Sequence, residues 1–191
     1  MNPEPTPEGP AARPAAPASA SALSQQQPGL RFLLAHPAHA LALGFGSGLS
    51  PRAPGTVGTL WAWAVFVWIS LLWQPSDWVW GLIIAATLLL GWWATAVTLR
   101  HSGGSDPGCI VIDEIVAFWL VLWLIAPAGW LGQLLAFALF RYFDAAKPEP
   151  VAWADRAFKG QGWRGAWGVM FDDLVAAFCT LLLFALWRFL F

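Results

Sequence analysis

"WVWGLIIAATLLLGWWATAVTL", residues 78–99, runs for 22 positions without a charged side chain. A helix that crosses the hydrocarbon core of a bilayer needs about 20 predominantly apolar residues, within a range of about 17–25. No polar face recurs at helical spacing to mark a helix half immersed in water. The stretch therefore reads as a membrane span. Four more apolar runs surround it, at 57–73, 110–126, 130–143 and 174–191. Those at 57–73, 110–126 and 174–191 are short but adequate, whereas 130–143 is short enough to be tilted, kinked or re-entrant. The expected fold is all-α, a polytopic membrane helical bundle of about four to five transmembrane helices: five spans, or four and a half-helix.

Composition agrees with that class. The chain of 191 residues is 58% hydrophobic and 11% charged, where a soluble domain carries about 45–50% apolar and about 25% charged residues. Of its 15 tryptophans, Trp61, Trp73, Trp78, Trp130 and Trp187 stand at the ends of apolar runs, where an interfacial aromatic belt sits. A net charge of −1 says nothing about nucleic acid, and no basic run suggests such a partner; membrane lipids are the expected partners. Cys109 and Cys179 make neither a disulfide framework nor a paired ligand spacing. His36, His39 and His101 are too few and too scattered for a zinc site, and read as interfacial or loop residues. Residues 1–28 are Pro-, Ala- and Ser-rich with almost no large apolar side chain, so they are expected to be disordered. They lack the basic start and apolar core of a signal peptide. Residues 29–191 remain as one transmembrane domain.

Lysine and arginine set the orientation. Arg31 and Arg52 precede the first run, Arg100 follows the second, and Arg141, Lys147, Arg156, Lys159 and Arg164 lie at the junction of the fourth and fifth. The connections at 74–77 and 127–129 hold none, and only Arg188 falls on the other side. Alternation then puts the N-terminus, the 100–109 loop and the 144–171 loop in the cytoplasm.

The acidic residues follow the same alternation. Asp113 and Glu114 lie just inside the start of the third run, Asp144 closes the fourth, and Asp172 and Asp173 open the fifth. All five carboxylates are thus expected at one depth on one side of the bilayer. A charge in the middle of a lipid-embedded helix costs about 2.5–3.5 kcal/mol on insertion scales and normally faces a partner or a wet cavity. Oxygen ligands without histidine or cysteine select Mg²⁺ or a similar hard cation. Adjacent acids on a helix diverge by about 100°, so one of each pair can bind metal while its neighbour binds a second ion, positions water or caps the helix. The plain structural alternative is that Asp172 and Asp173 are N-cap and first-turn acids complementing the helix dipole. Asp113 and Glu114 would then be helix-start charges. Asp144 resists that explanation, since a negative charge at a helix C-terminus opposes the dipole.

Carboxylates holding Mg²⁺ at a membrane face suit phosphate chemistry on a lipid head group, with the metal neutralising phosphate charge and acidifying water. Arginine and lysine would hold the equatorial oxygens. Arg141 lies three residues before Asp144, on the same helical face, and Lys147 three beyond it. The loop "GFGSGLSPRAPGTVGT", residues 44–59, adds small residues whose amides can approach an anion. Its charge is Arg52, and Thr56 and Thr59 stand at the start of the next helix, as phosphate contacts or simply caps. Without a P-loop lysine or a preceding strand it is no nucleotide motif.

Three ordered segments, "GFGSGLSPRAPGTVGTL", "IVIDEIVAFW" and "FRYFDAAKPEPVAWAD…GVMFDDLVAAF", together resemble the phosphatidylglycerophosphatase A family of bacterial inner-membrane lipid phosphatases, over about residues 30–185. The resemblance implies Mg²⁺-dependent hydrolysis of phosphatidylglycerophosphate to phosphatidylglycerol and inorganic phosphate. By position it implies a lipid phosphatase site of Asp113, Glu114, Asp144, Asp172 and Asp173, with Arg141 and Lys147 beside them; Asp113, Glu114, Asp144 and Asp173 are the expected catalytic residues. Ala117 and Ala166 stand where the family commonly has glycine, and "FKGQGWRGAWG" is longer than usual.

Other chemistries fit less well. A histidine-nucleophile phosphatase needs a second histidine late in the chain, and none follows His101. The Asp-x-x-Asp-Gly pattern of CDP-alcohol transferases is absent. Metal-activated water is the expected nucleophile, with attack by Asp113, Asp144 or Asp173 left open. A cation transporter or channel is the rival function; it predicts acids spread through the bilayer depth. A structural subunit of a membrane complex would not need Arg52, Arg141 and Lys147.

Overall fold

The computed structural model describes residues 29–102, 108–160 and 162–190. The expected disordered segment 1–28 lies outside the described residues. All regular structure among them is helical. Two short helices, α1 (Leu30–Ala35) and α2 (Pro37–Ala42), lead into a 3₁₀ turn at Gly44–Leu49. They are followed by α3 (Pro54–Leu72), α4 (Asp77–His101), α5 (Ile112–Leu124), α6 (Trp130–Ala146), the short α7 (Val151–Ala157) and α8 (Gly162–Leu190).

Each of the five apolar runs is a helix, but only α3, α4 and α8 are long and apolar enough to cross a membrane alone. The 13 residues of α5 span about 20 Å, well short of the bilayer core. It is nonetheless the central helix, packed against α3, α4, α6 and α8. Phe118, Val121 and Leu122 are buried there with Phe140 of α6, and the Phe118 and Phe140 rings stack with centroids 5.5 Å apart. Indole N–H groups have no water to bond in an apolar surround, so they tie helices together. Trp119 donates to Ala62 O at 2.8 Å and Trp63 to Gln133 Oε1 at 2.7 Å. The outward surface is apolar, and belt residues Trp73, Trp78 and Trp130 are 64%, 86% and 74% exposed.

Two boundary differences bear on the acidic residues. The third run was expected to be helical from 110, yet α5 starts at Ile112, because Val111 N–H leaves the helical path to donate to Ala42 O at 2.9 Å. The fifth was expected to begin near Asp172, yet α8 starts ten residues earlier at Gly162. Asp172 and Asp173 are therefore in its third turn. The reading of them as N-cap and first-turn acids is wrong, since the unpaired amides that such acids serve lie only in the first turn.

Candidate active site

Five helix segments bring their polar groups to one end of the bundle: the starts of α3 and α5, the ends of α4 and α6, and the first half of α8. A cavity of about 430 Å³ lies there, lined by Asp113, Glu114, Asp144, Asp172 and Asp173. Convergence follows from chain alternation. Asp113 and Glu114 sit in the first turn of α5, Asp144 in the last turn of α6, and α8 passes between these ends.

The five acids divide into two groups. Asp113, Glu114 and Asp173 are buried and each offers an oxygen within 4.8 Å of the others'. Asp144 pairs with Arg141 one turn before it, and Asp172 Oδ2 accepts from Lys147 Nζ at 2.5 Å. Arg141 also reaches Glu114 Oε1 at 3.7 Å and Thr59 Oγ1 at 3.4 Å. Among the described residues, Glu114 Oε2, Asp172 Oδ1 and Asp173 Oδ2 are buried and accept no hydrogen bond. Buried carboxylate oxygens without donors are costly, and six carboxylates line this cavity against the ammonium groups of Lys147 and Lys159. Three clustered carboxylates, two of them (Glu114 and Asp173) with an oxygen that accepts no hydrogen bond, fit a divalent cation such as Mg²⁺.

Placement of the other expected residues is uneven. Lys147, at the C-cap of α6 in a left-handed conformation with φ 44°, lines the cavity. Arg52 is exposed and Thr56 half-buried, and neither is among the lining residues. Thr59, fully buried and also outside the cavity lining, touches the site through Arg141, donating to Gly55 O at 2.8 Å and receiving Arg141. What the Gly/Pro loop brings close is backbone to the carboxyl group of Glu114: a Cβ on Gly55 would stand 2.2 Å from its Oε1.

Two charged lining residues were not among the expected site residues, although Lys159 counts with the basic residues near the acids. Asp155 and Lys159 project from α7 and its C-terminal end, in a segment expected to be plain loop; their i, i+4 spacing was the available sign. The three histidines, expected to be scattered, meet at the outer side of this end. His39 Nδ1 lies 2.7 Å from Phe32 O and must donate to it, which leaves Nε2 to accept from His101 Nδ1 at 2.7 Å.

Membrane-length helices closing over an acid-lined polar chamber define a helical integral-membrane enzyme. Comparison with known proteins specifies it further. The phosphatidylglycerophosphatase A family matches residues 40–188. The chain is 35% identical over 146 residues to Phosphatidylglycerophosphatase A of Escherichia coli (strain K12), covering 76% of this chain and 80% of that one. It is 36% identical over 165 residues to the Haemophilus influenzae protein of the same name, covering 86% and 97%. A Bacteroides thetaiotaomicron protein, provisionally named phosphatidylinositol-3-phosphatase, is 37% identical over 155 residues, covering 78% and 91%. No solved structure matches the chain. The chain belongs to the phosphatidylglycerophosphatase A family, and it is a phosphatase.

Proposed function

We propose that this protein hydrolyses phosphatidylglycerophosphate to phosphatidylglycerol and inorganic phosphate, with Mg²⁺, at the cytoplasmic face of a bacterial inner membrane. The observation that carries this reading is the trio of buried carboxylates within 4.8 Å of one another, in a chamber whose mouth holds Lys147 and Lys159. Asp113, Glu114 and Asp173 would hold the cation, which when bound supplies charge neutralisation and acidified water. Lys147 meets the monoester oxygens, and Arg141 fixes Asp144 and Glu114 in place. An unpartnered carboxylate oxygen accepts the proton of the attacking water. The bond from phosphorus to the glycerol oxygen breaks, and that oxygen takes up a proton as phosphatidylglycerol leaves. The basic residues gathered at this end favour the cytoplasmic side. A cation path needs acids through the bilayer depth, and gathering them at one end disfavours it.

The test is phosphate release by purified protein in detergent, given phosphatidylglycerophosphate with Mg²⁺ or with EDTA. Activity with Mg²⁺ and its loss in EDTA are expected. Alanine at Asp113, Glu114, Asp144 or Asp173 should abolish release while the protein still inserts; full activity in all four would refute the site. A phosphatidylinositol phosphate, suggested by the name of the Bacteroides relative, is the comparison substrate and should be the poorer one.

A further inference from the structure

Asp155 has no part in the mechanism above, yet both its oxygens are engaged inside the cavity. Oδ1 accepts from Lys147 Nζ at 2.8 Å, and Oδ2 pairs with Lys159 Nζ at 3.1 Å. It stands on α7, which packs on α8. Lys147 Nζ is shared with Asp172 Oδ2 from inside the chamber. One ammonium thus bridges a carboxylate at the rim and a carboxylate within.

We propose that Asp155 is a positioning residue of the phosphatase site, holding the Lys147 ammonium at the cavity mouth where it meets the substrate's phosphate monoester. The inference rests on the phosphatase reading of this cavity. Lysine is a point charge on a flexible four-carbon stem, and its position is set by its partners. With Asp172 alone, the ammonium would settle on a buried carboxylate and would have to abandon it when a phosphate arrived. Asp155, outside the acid trio, gives a second anchor, so Lys147 exchanges Asp172 for phosphate oxygens without leaving the rim. The Lys147 hydrogen bond holds the Asp155 carboxyl below its ordinary range, against the effect of burial. Burial works against the Lys147 charge, but the bonds to Asp155 and Asp172 override it and raise its pKa. Both groups therefore stay charged at neutral pH, as suits an anchor rather than a proton donor. Lys159 is 68% exposed, so its pair with Asp155 is screened by water and holds little.

The experiment is a double-mutant cycle on phosphatidylglycerophosphate in mixed micelles, with Asp155→Asn, Lys147→Met and the double variant. Asp155→Asn should lower kcat/KM about tenfold, chiefly through KM, as expected when a binding group is misplaced. Asp155→Glu should restore most of it, and the double variant should be no worse than Lys147→Met alone. Additive losses, or Asp155→Asn within about twofold of the parent, would overturn the proposal. Asp173→Asn is run alongside: inactive Asp173→Asn with unaffected Asp155→Asn defeats this inference alone, whereas active Asp173→Asn defeats the catalytic reading and this with it. If Asp155→Asn does not accumulate, the cycle uses Asp155→Ser. A several-fold loss in the parent and none with Lys147→Met supports the anchor, and equal losses overturn it.

Discussion

Gly55 shows how closely the residues of the site are fitted. Its position in the first turn of α3 leaves 2.2 Å between a would-be Cβ and Glu114 Oε1, and 3.1 Å to Arg141 Nη1. The atoms met are the tips of flexible side chains and can swing aside, but those tips are the groups the site uses. Gly55→Ala should push Glu114 and Arg141 apart, away from Thr59 and from the carboxylate trio. Since a shift of about 1 Å in a catalytic group costs about a hundredfold, phosphate release should fall by about that factor. The amount of inserted protein should not change, because α3 keeps its apolar faces. Activity at the parent level in detergent would show that Glu114 tolerates displacement. The five acids were legible in the sequence because charge inside an apolar run has few innocent explanations. Gly55 was visible only as a member of a Gly/Pro-rich loop, since nothing local says that Glu114, 59 positions later, comes to rest against it.

At the scale of elements, apolar run length foretold helices but not their ends. "GQGWRGAWG" has the glycine content of a loop, and glycine costs about 1 kcal/mol per residue in a helix interior. The first turns of α8 accept that cost because α7's trailing segment lies directly on them. A Cβ on Gly165 would stand 2.1 Å from Gly160 O, and one on Gly168 2.7 Å from Phe158 O. Tertiary contact overrode propensity, and it carried Asp172 and Asp173 into the third turn. A second long-range effect braces the start of α5. His39 of α2 joins His101 at the end of α4, and Ala42 O of the same α2 receives Val111 N–H beside Asp113. Burial, the leading cause, depresses the His39 pKa; its bond to Phe32 O acts the other way, and His101 and His36 nearby again lower it. The unfolded chain then binds a proton more readily than the native one below pH about 6.5. The brace's contribution is full above that pH and lost as pH falls toward the depressed native value. The thermal midpoint in detergent should therefore drop between pH 7.5 and 5.5 more steeply for the parent than for His39→Gln, which cannot titrate. Parallel declines would assign the loss to other groups.

For the whole molecule, the distribution of basic residues predicts which way the chamber faces. Arg52, Arg100, Arg156, Lys159 and Arg164 belong to the chamber end, while the opposite end holds Asp77, in the first turn of α4, and Arg188, in the last turn of α8. That asymmetry was legible in the sequence, because it needs only the order of runs and the loops between them. The depth reached by α5 and α6 was not, because a helix held among others does not have to span the bilayer itself. Positive loops resist translocation, so the chamber end should stay in the cytoplasm. Single cysteines test this directly, since native Cys109 and Cys179 are buried and should react little. Ser76→Cys at the α3–α4 connection and Arg164→Cys near the start of α8 replace exposed residues at opposite ends. In intact spheroplasts a membrane-impermeant maleimide should label the former at once and the latter only after permeabilisation. Labelling of Arg164→Cys in sealed cells would turn the chamber outward. The excess of positive loop charge would then have lost to whatever drives insertion of α3 and α4.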